Sequence, residues 1–167
     1  MRAGIALGSN IEPRLQNLQA AHQLILKLHT GSEPVLGSKV YETSPVDCAP
    51  ETFPFLNAVM EIGWKDSPEE LHCGLQKIEH ELGRATLREK NSPRTIDLDL
   101  LYCDDCVVET STLTLPHPRI SERQFVLQPL ADIRPELLLP NHRRAISGLL
   151  HSLTNDEKLS EYKCKIL

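Results

Sequence analysis

Two aspartates, Asp97 and Asp99, interrupt an otherwise apolar run, PRTIDLDLLY, between Pro93 and Tyr102. Ile96, Leu98 and Leu100 alternate with Asp97, Asp99 and Leu101, so a strand here points both carboxylates to one face. Their Cα atoms are then about 6.5 Å apart. Two like charges held that close on a half-buried strand raise each other's pKa unless a cation neutralises them. A hard divalent ion such as Mg²⁺, bound by a few carboxylates and by substrate phosphates, resolves the conflict. The competing reading is the outward face of an edge strand, where acidic residues simply block aggregation. Arg94, just before the strand, favours the ligand-binding reading because a guanidinium beside the pair suits phosphate.

Other residues extend that chemistry. Arg84 and Arg88 precede the strand, while His117, Arg119 and Arg123 follow it in LPHPRISERQF. Arginines on both sides of an acidic pair fit a polyphosphate held between guanidinium groups and Mg²⁺. Pro116 and Pro118 hold His117 rigidly, either to donate to phosphate or to make a fixed structural hydrogen bond. Gly8, Ser9 and Asn10 end the first strand, and Gly8 permits close backbone approach or a positive φ. No P-loop lysine follows. Asn57 lies inside the apolar FLNAVMEI, where a buried amide must find partners on a heterocyclic ligand or on backbone. Phe53 and Phe55 flank Pro54 and are placed to stack on a flat ligand or, for Phe55, to fill core. Glu79 lies next to Ile78 on a helix and, taken alone, reads as solvent-facing. Cys103 and Cys106 form a CxxC-like pair at a strand end, without the second ligand pair a zinc site needs.

The elements that must position these residues follow from periodicity. Ala3–Leu7 reads as a strand, and Pro13 as a first-turn residue of a helix running to His29, with Leu15, Leu18, Ala21, Ile25 and Leu28 on one face. Val35–Glu42 reads as a strand, Thr43–Pro54 as a long proline-rich loop of a length that is usually functional or disordered, and Phe55–Trp64 as a strand. Ser67, Pro68 and Glu70 make a capping box for a helix with Leu71, Leu75, Ile78 and Leu82 on its inner face and Gly83 as its stop. Thr86–Pro93 is a second loop. Short strands at Val107–Val108 and Leu113–Leu115, and helices at Ser121–Leu130 and Ile146–Leu153, complete the expected order. Strand, helix, strand, strand, helix, strand predicts an α+β, ferredoxin-like βαββαβ core: an antiparallel sheet with both helices on one face, plus a C-terminal elaboration. Both loops enter strands that carry polar residues near their starts, which predicts one shared site at the sheet rim.

At 167 residues a single domain spanning 1–167 is expected. The net charge of −5 and the lack of a basic tract argue against nucleic acid as a partner. Five irregularly spaced cysteines, with no signal segment or membrane-length apolar run, predict a soluble, cytoplasmic monomer without disulfides.

The stretches ALGSN (6–10), YETSPV (41–46), FLNAV (55–59), IEHELGR (78–84), PRTIDLDLLY (93–102) and LTLPHPRISERQFVLQPL (113–130) together resemble the 6-hydroxymethyl-7,8-dihydropterin pyrophosphokinase family of folate biosynthesis. The resemblance implies transfer of the β,γ-diphosphate of ATP to the pterin hydroxymethyl group, with release of AMP. It implies that Asp97 and Asp99 bind two Mg²⁺ ions, with Arg84 and Arg94 also catalytic. The pterin is expected against Gly8, Thr43, Ser44, Pro45, Val46, Phe55, Asn57 and Phe125. ATP is expected against Glu79, Arg88, Arg94, Ile96, His117 and Arg123, with loops 44–54 and 84–93 closing over both. The chain departs from the common family pattern in the second loop: Thr86 stands where a second arginine is usual, and Asn91-Ser92 replace Trp-Gly. Arg88, two residues on, is the candidate replacement. Rival readings are another Mg²⁺-dependent nucleotide enzyme, such as a nucleotidyl transferase, or a nucleotide-sensing domain on the same scaffold.

Overall fold

Alternating apolar residues on the first, third and fourth long strands build a sheet that is covered on both faces. The computed structural model describes residues 1–43, 53–83, 94–154 and 159–164. In chain order these form β1 (Arg2–Ser9), α1 (Arg14–Leu26), β2 (Leu36–Gly37), β3 (Val40–Thr43), β4 (Phe55–Gly63), α2 (Pro68–Glu81) and β5 (Asp97–Cys103). A small hairpin of β6 (Val108–Glu109) and β7 (Thr114–Leu115) follows, then a 3₁₀ turn (Ile120–Glu122), α3 (Gln124–Ile133), α4 (Ile146–Ser152) and β8 (Leu159–Tyr162). The sheet order is β5-β1-β4-β3-β8, with β2 also paired to β4, and every pairing is antiparallel. The β5-β1-β4-β3 portion is the expected ferredoxin-like core. Among the described residues, no helix is long and apolar enough to cross a membrane.

The two faces carry separate cores. Ala3, Ile5 and Leu7 of β1, Leu56, Ala58, Met60 and Ile62 of β4, and Leu98 and Leu100 of β5 pack against Leu18, Ala21 and Ile25 of α1 and Leu71, Leu75 and Ile78 of α2. On the opposite face Val59, Leu101 and Tyr102 pack under Val126, Leu127 and Leu130 of α3 and Ile146 of α4. A register shift between Gly4 and Ile5 makes Leu101 the extra residue opposite β1, and this turns Tyr102 onto the α3 side. There its ring occupies the space a side chain at residue 4 would need: a Cβ on Gly4 would collide with the Tyr102 ring at Cε1.

Several expected boundaries move for identifiable reasons. Pro13 is the residue before α1 rather than its first turn, and α1 stops at Leu26, short of His29. The predicted Val35–Glu42 strand is two pieces, because Ser38 Oγ takes the N–H of Val59 while the Ser38 N–H donates to Val59 O, interrupting the regular ladder. Thr43 belongs to β3 rather than to the loop. The predicted Ser121–Leu130 helix splits into the 3₁₀ turn and α3. The α2 start is as expected: Ser67 Oγ accepts from Glu70 N, the Glu70 side chain returns to the Ser67 N–H, and Pro68 sits at the first turn. Gly83, at φ +87°, ends that helix in the left-handed conformation glycine tolerates. β8, on the outer edge of β3, was not expected from the sequence.

Candidate active site at the rim of the sheet

The end of β1 gathers the polar residues of its neighbours. Gly8 stands opposite Asn57 on one side and Asp97 on the other, and Asn57 in turn stands opposite Tyr41. One step inward, Ala6 stands opposite Asp99 and Val59. Because side chains alternate along strands, Asp97, Asp99, Asn57, Tyr41, Thr43 and Phe55 all share the face away from α1 and α2. Asn57 is buried and donates from Nδ2 to Thr43 Oγ1 at 2.8 Å. A Cβ added at Gly8 would lie 3.4 Å from Asn57 Oδ1 and 3.9 Å from the Asp97 Cβ. A methyl group there would fit, but it would fill the space between the amide and the carboxylate. Gly8 lies within regular β1 and has no positive φ, so close approach is the one role left of the two expected for it.

Both aspartates meet guanidinium groups. Arg94 Nη1 donates to Asp97 Oδ2 at 2.7 Å, and Arg123 Nη1 donates to Asp99 Oδ2 at 3.2 Å. The Arg94 backbone is itself clipped to the end of β1: its N–H donates to Asn10 Oδ1 at 2.8 Å, and its carbonyl accepts from Asn10 N at 3.3 Å. Arg123 also lies over the ring of Phe125, 5.6 Å from its centroid, in cation–π contact. Glu79 does not face solvent: it is buried, and its Oε1 accepts the Leu98 N–H at 2.7 Å, tying α2 to the backbone between the two aspartates. A solvent-facing expectation fails here because Glu79 neighbours Ile78 on the side of α2 that rests on β5, where a backbone donor compensates for its burial.

His117 follows β7, with its N–H bonded to Leu101 O. Its Nδ1 accepts from the Arg119 N–H at 3.2 Å, which leaves Nε2 to carry the proton of the neutral ring. Burial holds its pKa below the ordinary histidine value, assisted by Arg123 and Arg119 and opposed by Asp99. Asp99 and His117 open onto a cavity of about 310 Å³ that is also lined by His72 of α2 and by Ser111, Thr112 and Thr114 of the β6–β7 hairpin, while the Thr110 hydroxyl is held within the hairpin turn by Leu113.

The sequence profile of the 7,8-dihydro-6-hydroxymethylpterin-pyrophosphokinase family matches residues 4–135. The chain belongs to that family. It is 45% identical over 131 residues to the 2-amino-4-hydroxy-6-hydroxymethyldihydropteridine pyrophosphokinase of Bacillus subtilis, covering 78% of this chain and 77% of that protein. It is 39% identical over 140 residues to the Haemophilus influenzae enzyme of the same name, covering 83% and 85%. The folic acid synthesis protein fol1 of Schizosaccharomyces pombe is 36% identical over 151 residues, but the chain spans only 20% of that protein's length. A Plasmodium falciparum HPPK-DHPS crystal structure shares the fold at a TM-score of 0.65 and 14% identity, covering 90% of this chain and 44% of that one.

The structure brings together most of the residues the family resemblance singled out. Gly8, Thr43, Phe55, Asn57, Arg94, Asp97, Asp99, His117, Arg123 and Phe125 lie on or beside the rim just described. Phe55 and Phe125 are half-buried, Phe125 packing in part against the α3-side core, and Phe53 is 67% exposed. Ile96 departs from the set. Its side chain is fully buried in the α1/α2-side core, so only its backbone is available to a nucleotide. Ser44, Pro45, Val46, Arg84 and Arg88 lie outside the described residues. The hydroxyl-lined cavity wall, His72 and the Asn10 clip were missed from sequence. TSTLT gave the first signal that was available, because hydroxyls at successive positions of a short hairpin reach both of its faces. The Cys103 thiol is fully buried and pushed up to about 12 by that burial, which leaves a thiol unreactive at neutral pH. Among the described residues no group of three or more His, Cys, Asp or Glu side chains is placed to hold a metal.

Proposed function

We propose that this chain transfers the β,γ-diphosphate of ATP to the hydroxymethyl group of 6-hydroxymethyl-7,8-dihydropterin, releasing AMP, as in folate synthesis. The observation that carries the reading is the row Asp97–Gly8–Asn57, which sets an oxygen-donor pair beside a buried amide with an unobstructed glycine between them. Family membership supports this reaction, and the row supports a metal–phosphate side at Asp97 and a pterin side at Asn57.

The donor set fits Mg²⁺. Two carboxylates, each partly open to solvent, supply hard oxygen ligands and leave the rest of an octahedral shell to phosphates and water. Two such ions are the expected complement. When bound, Mg²⁺ supplies neutralisation of the phosphate charge and alignment of the attacking oxygen. The chain's own residues do the rest. The nucleotide occupies the cavity beside Asp99, with the Nε2–H of the neutral His117 aimed as a donor and Arg94 and Arg123 as cations for the phosphates. Glu79 holds the Leu98 backbone and so fixes the spacing of Asp97 and Asp99. Asn57, oriented by Thr43, reads the amide edge of the pterin, and Phe55 and Phe125 offer ring faces for it. The hydroxymethyl oxygen attacks the β-phosphorus, the bond from that phosphorus to the α-bridging oxygen breaks, and AMP leaves as one proton is released.

The test mixes the chain with Mg²⁺, ATP and the hydroxymethyldihydropterin and measures nucleotide products. AMP formed in step with pterin diphosphate is the expected result. ADP in its place would mean single phosphoryl transfer, and binding without either product would make this a sensing domain.

A further inference from the structure

The two arginines do more than wait for phosphate. We propose that Arg94 and Arg123 are internal counter-ions of the Asp97/Asp99 pair, which disfavour a divalent metal arriving alone and are handed to the nucleotide when the two arrive together. This rests on the metal reading of the pair given above.

The argument is one of charge and geometry. Arg94 Nη1 is 2.7 Å from Asp97 Oδ2 and Arg123 Nη1 is 3.2 Å from Asp99 Oδ2. Each guanidinium side chain is only 21% exposed, so both charges act through a medium less screening than water. With these cations in place the like charges on neighbouring side chains of β5 are already compensated. A bare dication would have to share its carboxylates with two guanidinium groups and would repel both. A metal–polyphosphate complex brings its own negative charge, so each guanidinium exchanges a carboxylate for a phosphate and no cation is left unpaired. Both side chains are anchored for that exchange: Asn10 clips the Arg94 backbone to β1, and Arg123 sits at the start of α3 over the Phe125 ring. The head groups can turn while their bases stay fixed. Through Phe125, Arg123 also links the carboxylate pair to an aromatic face on the pterin side.

This account predicts opposite signs for two affinities, which a merely structural role does not. Mn²⁺ alone is titrated into the 167-residue chain and its free ion followed by electron paramagnetic resonance. Arg94→Met and Arg123→Met are each expected to bind Mn²⁺ alone at least threefold more tightly than the unaltered chain. The same variants are expected to bind α,β-methylene-ATP with Mg²⁺ at least tenfold more weakly. Arg94→Gln and Arg123→Gln, which retain polarity, are measured beside them, and circular dichroism identifies the variants that keep their fold. Unchanged or weaker Mn²⁺ binding in the folded variants overturns the proposal. Asp97→Asn and Asp99→Asn separate it from the reading beneath it: if metal binding survives both, the aspartates are not the ligands and the metal reading itself falls.

Discussion

Two carboxylate sites lie on the same face of this sheet, and arginine meets both, with opposite results. Glu61 stands opposite Gly4 and is 1% exposed. Its Oε1 accepts from Arg2 Nη1 at 2.7 Å and Arg134 Nη2 at 2.6 Å, and its Oε2 accepts from Arg134 Nε at 2.9 Å and the Tyr102 hydroxyl at 2.6 Å. Four donors fill the four lone-pair sites of one carboxylate. Burial alone would raise the Glu61 pKa, but the bonds from Arg134, Tyr102 and Arg2 outweigh it and hold it below the usual range. Asp97 and Asp99 sit on β5 beside the other end of β1, with side chains 25% and 35% exposed. The same pairing of residue types therefore makes a sealed structural joint where the lone pairs are saturated, and a site open to exchange where solvent still reaches the oxygens.

The largest expected effect lies at the open site. Asp97→Ala and Asp99→Ala should each lower kcat by at least a thousandfold, about 4 kcal/mol of transition-state stabilisation, while the thermal midpoint stays close to that of the unaltered chain. A large loss of stability with retained turnover would invert the comparison. At the sealed site the expectation is reversed. Glu61→Gln removes the charge from a buried pair, which costs about 3 kcal/mol of folding stability, at the low end of the range because both arginines can partly rehydrate. Denaturant titration should show that loss, with kcat changed little.

The smallest effect concerns a buried group that neither site resembles. His22 of α1 is 4% exposed, its Nε2 has no hydrogen-bond partner among the described residues, and a cavity of only about 10 Å³ adjoins it, lined in part by Ser38 and Met60. Burial lowers its pKa. The unfolded chain therefore takes up the proton first as pH falls below about 6.5, the unperturbed histidine value. Stability from this group is present above that pH and is lost on acidification towards the folded pKa. Unfolding free energies from pH 7 to 5 should show a steeper fall for the unaltered chain than for His22→Leu. Equal slopes would mean that His22 has a partner that takes its charge.

Much of this was legible in the sequence because it depends on local pattern. The two-residue period of β5 placed Asp97 and Asp99 on one face, and Ser67-Pro68-Glu70 placed the start of α2. The starts of β4 and β5 do come together, since Asn57 and Asp97 flank Gly8, while the loops that precede them lie largely outside the described residues. What was not legible depends on contacts distant in sequence. Glu79 looked solvent-facing because its compensating donor, the Leu98 N–H, lies 19 residues away. The Asn10 clip spans 84 residues. β8 has a half-exposed pattern with little apolar signal, and its partner is the edge of β3. Ile96 was grouped with the nucleotide residues by motif, whereas the alternation already put it with Leu98 on the core side.

The single extra residue in β5 has a consequence for how the strand is read along its length. Leu98 and Leu100 keep step with β1 up to Ile5, and beyond the shift Tyr102 falls opposite Gly4. In an unshifted strand Tyr102 would point its hydroxyl at the α1/α2 side, and Glu61 would lose a donor. The shift thus works as a change of phase between two messages written on one strand, with the exchangeable acids ahead of it and the locking tyrosine behind it. Removing Leu101 would take out the extra residue and leave Tyr102 opposite Gly4, so both messages would stay in phase while the α3-side core would lose a buried side chain. A chain altered in that way should keep the proposed chemistry at low temperature and lose it on warming.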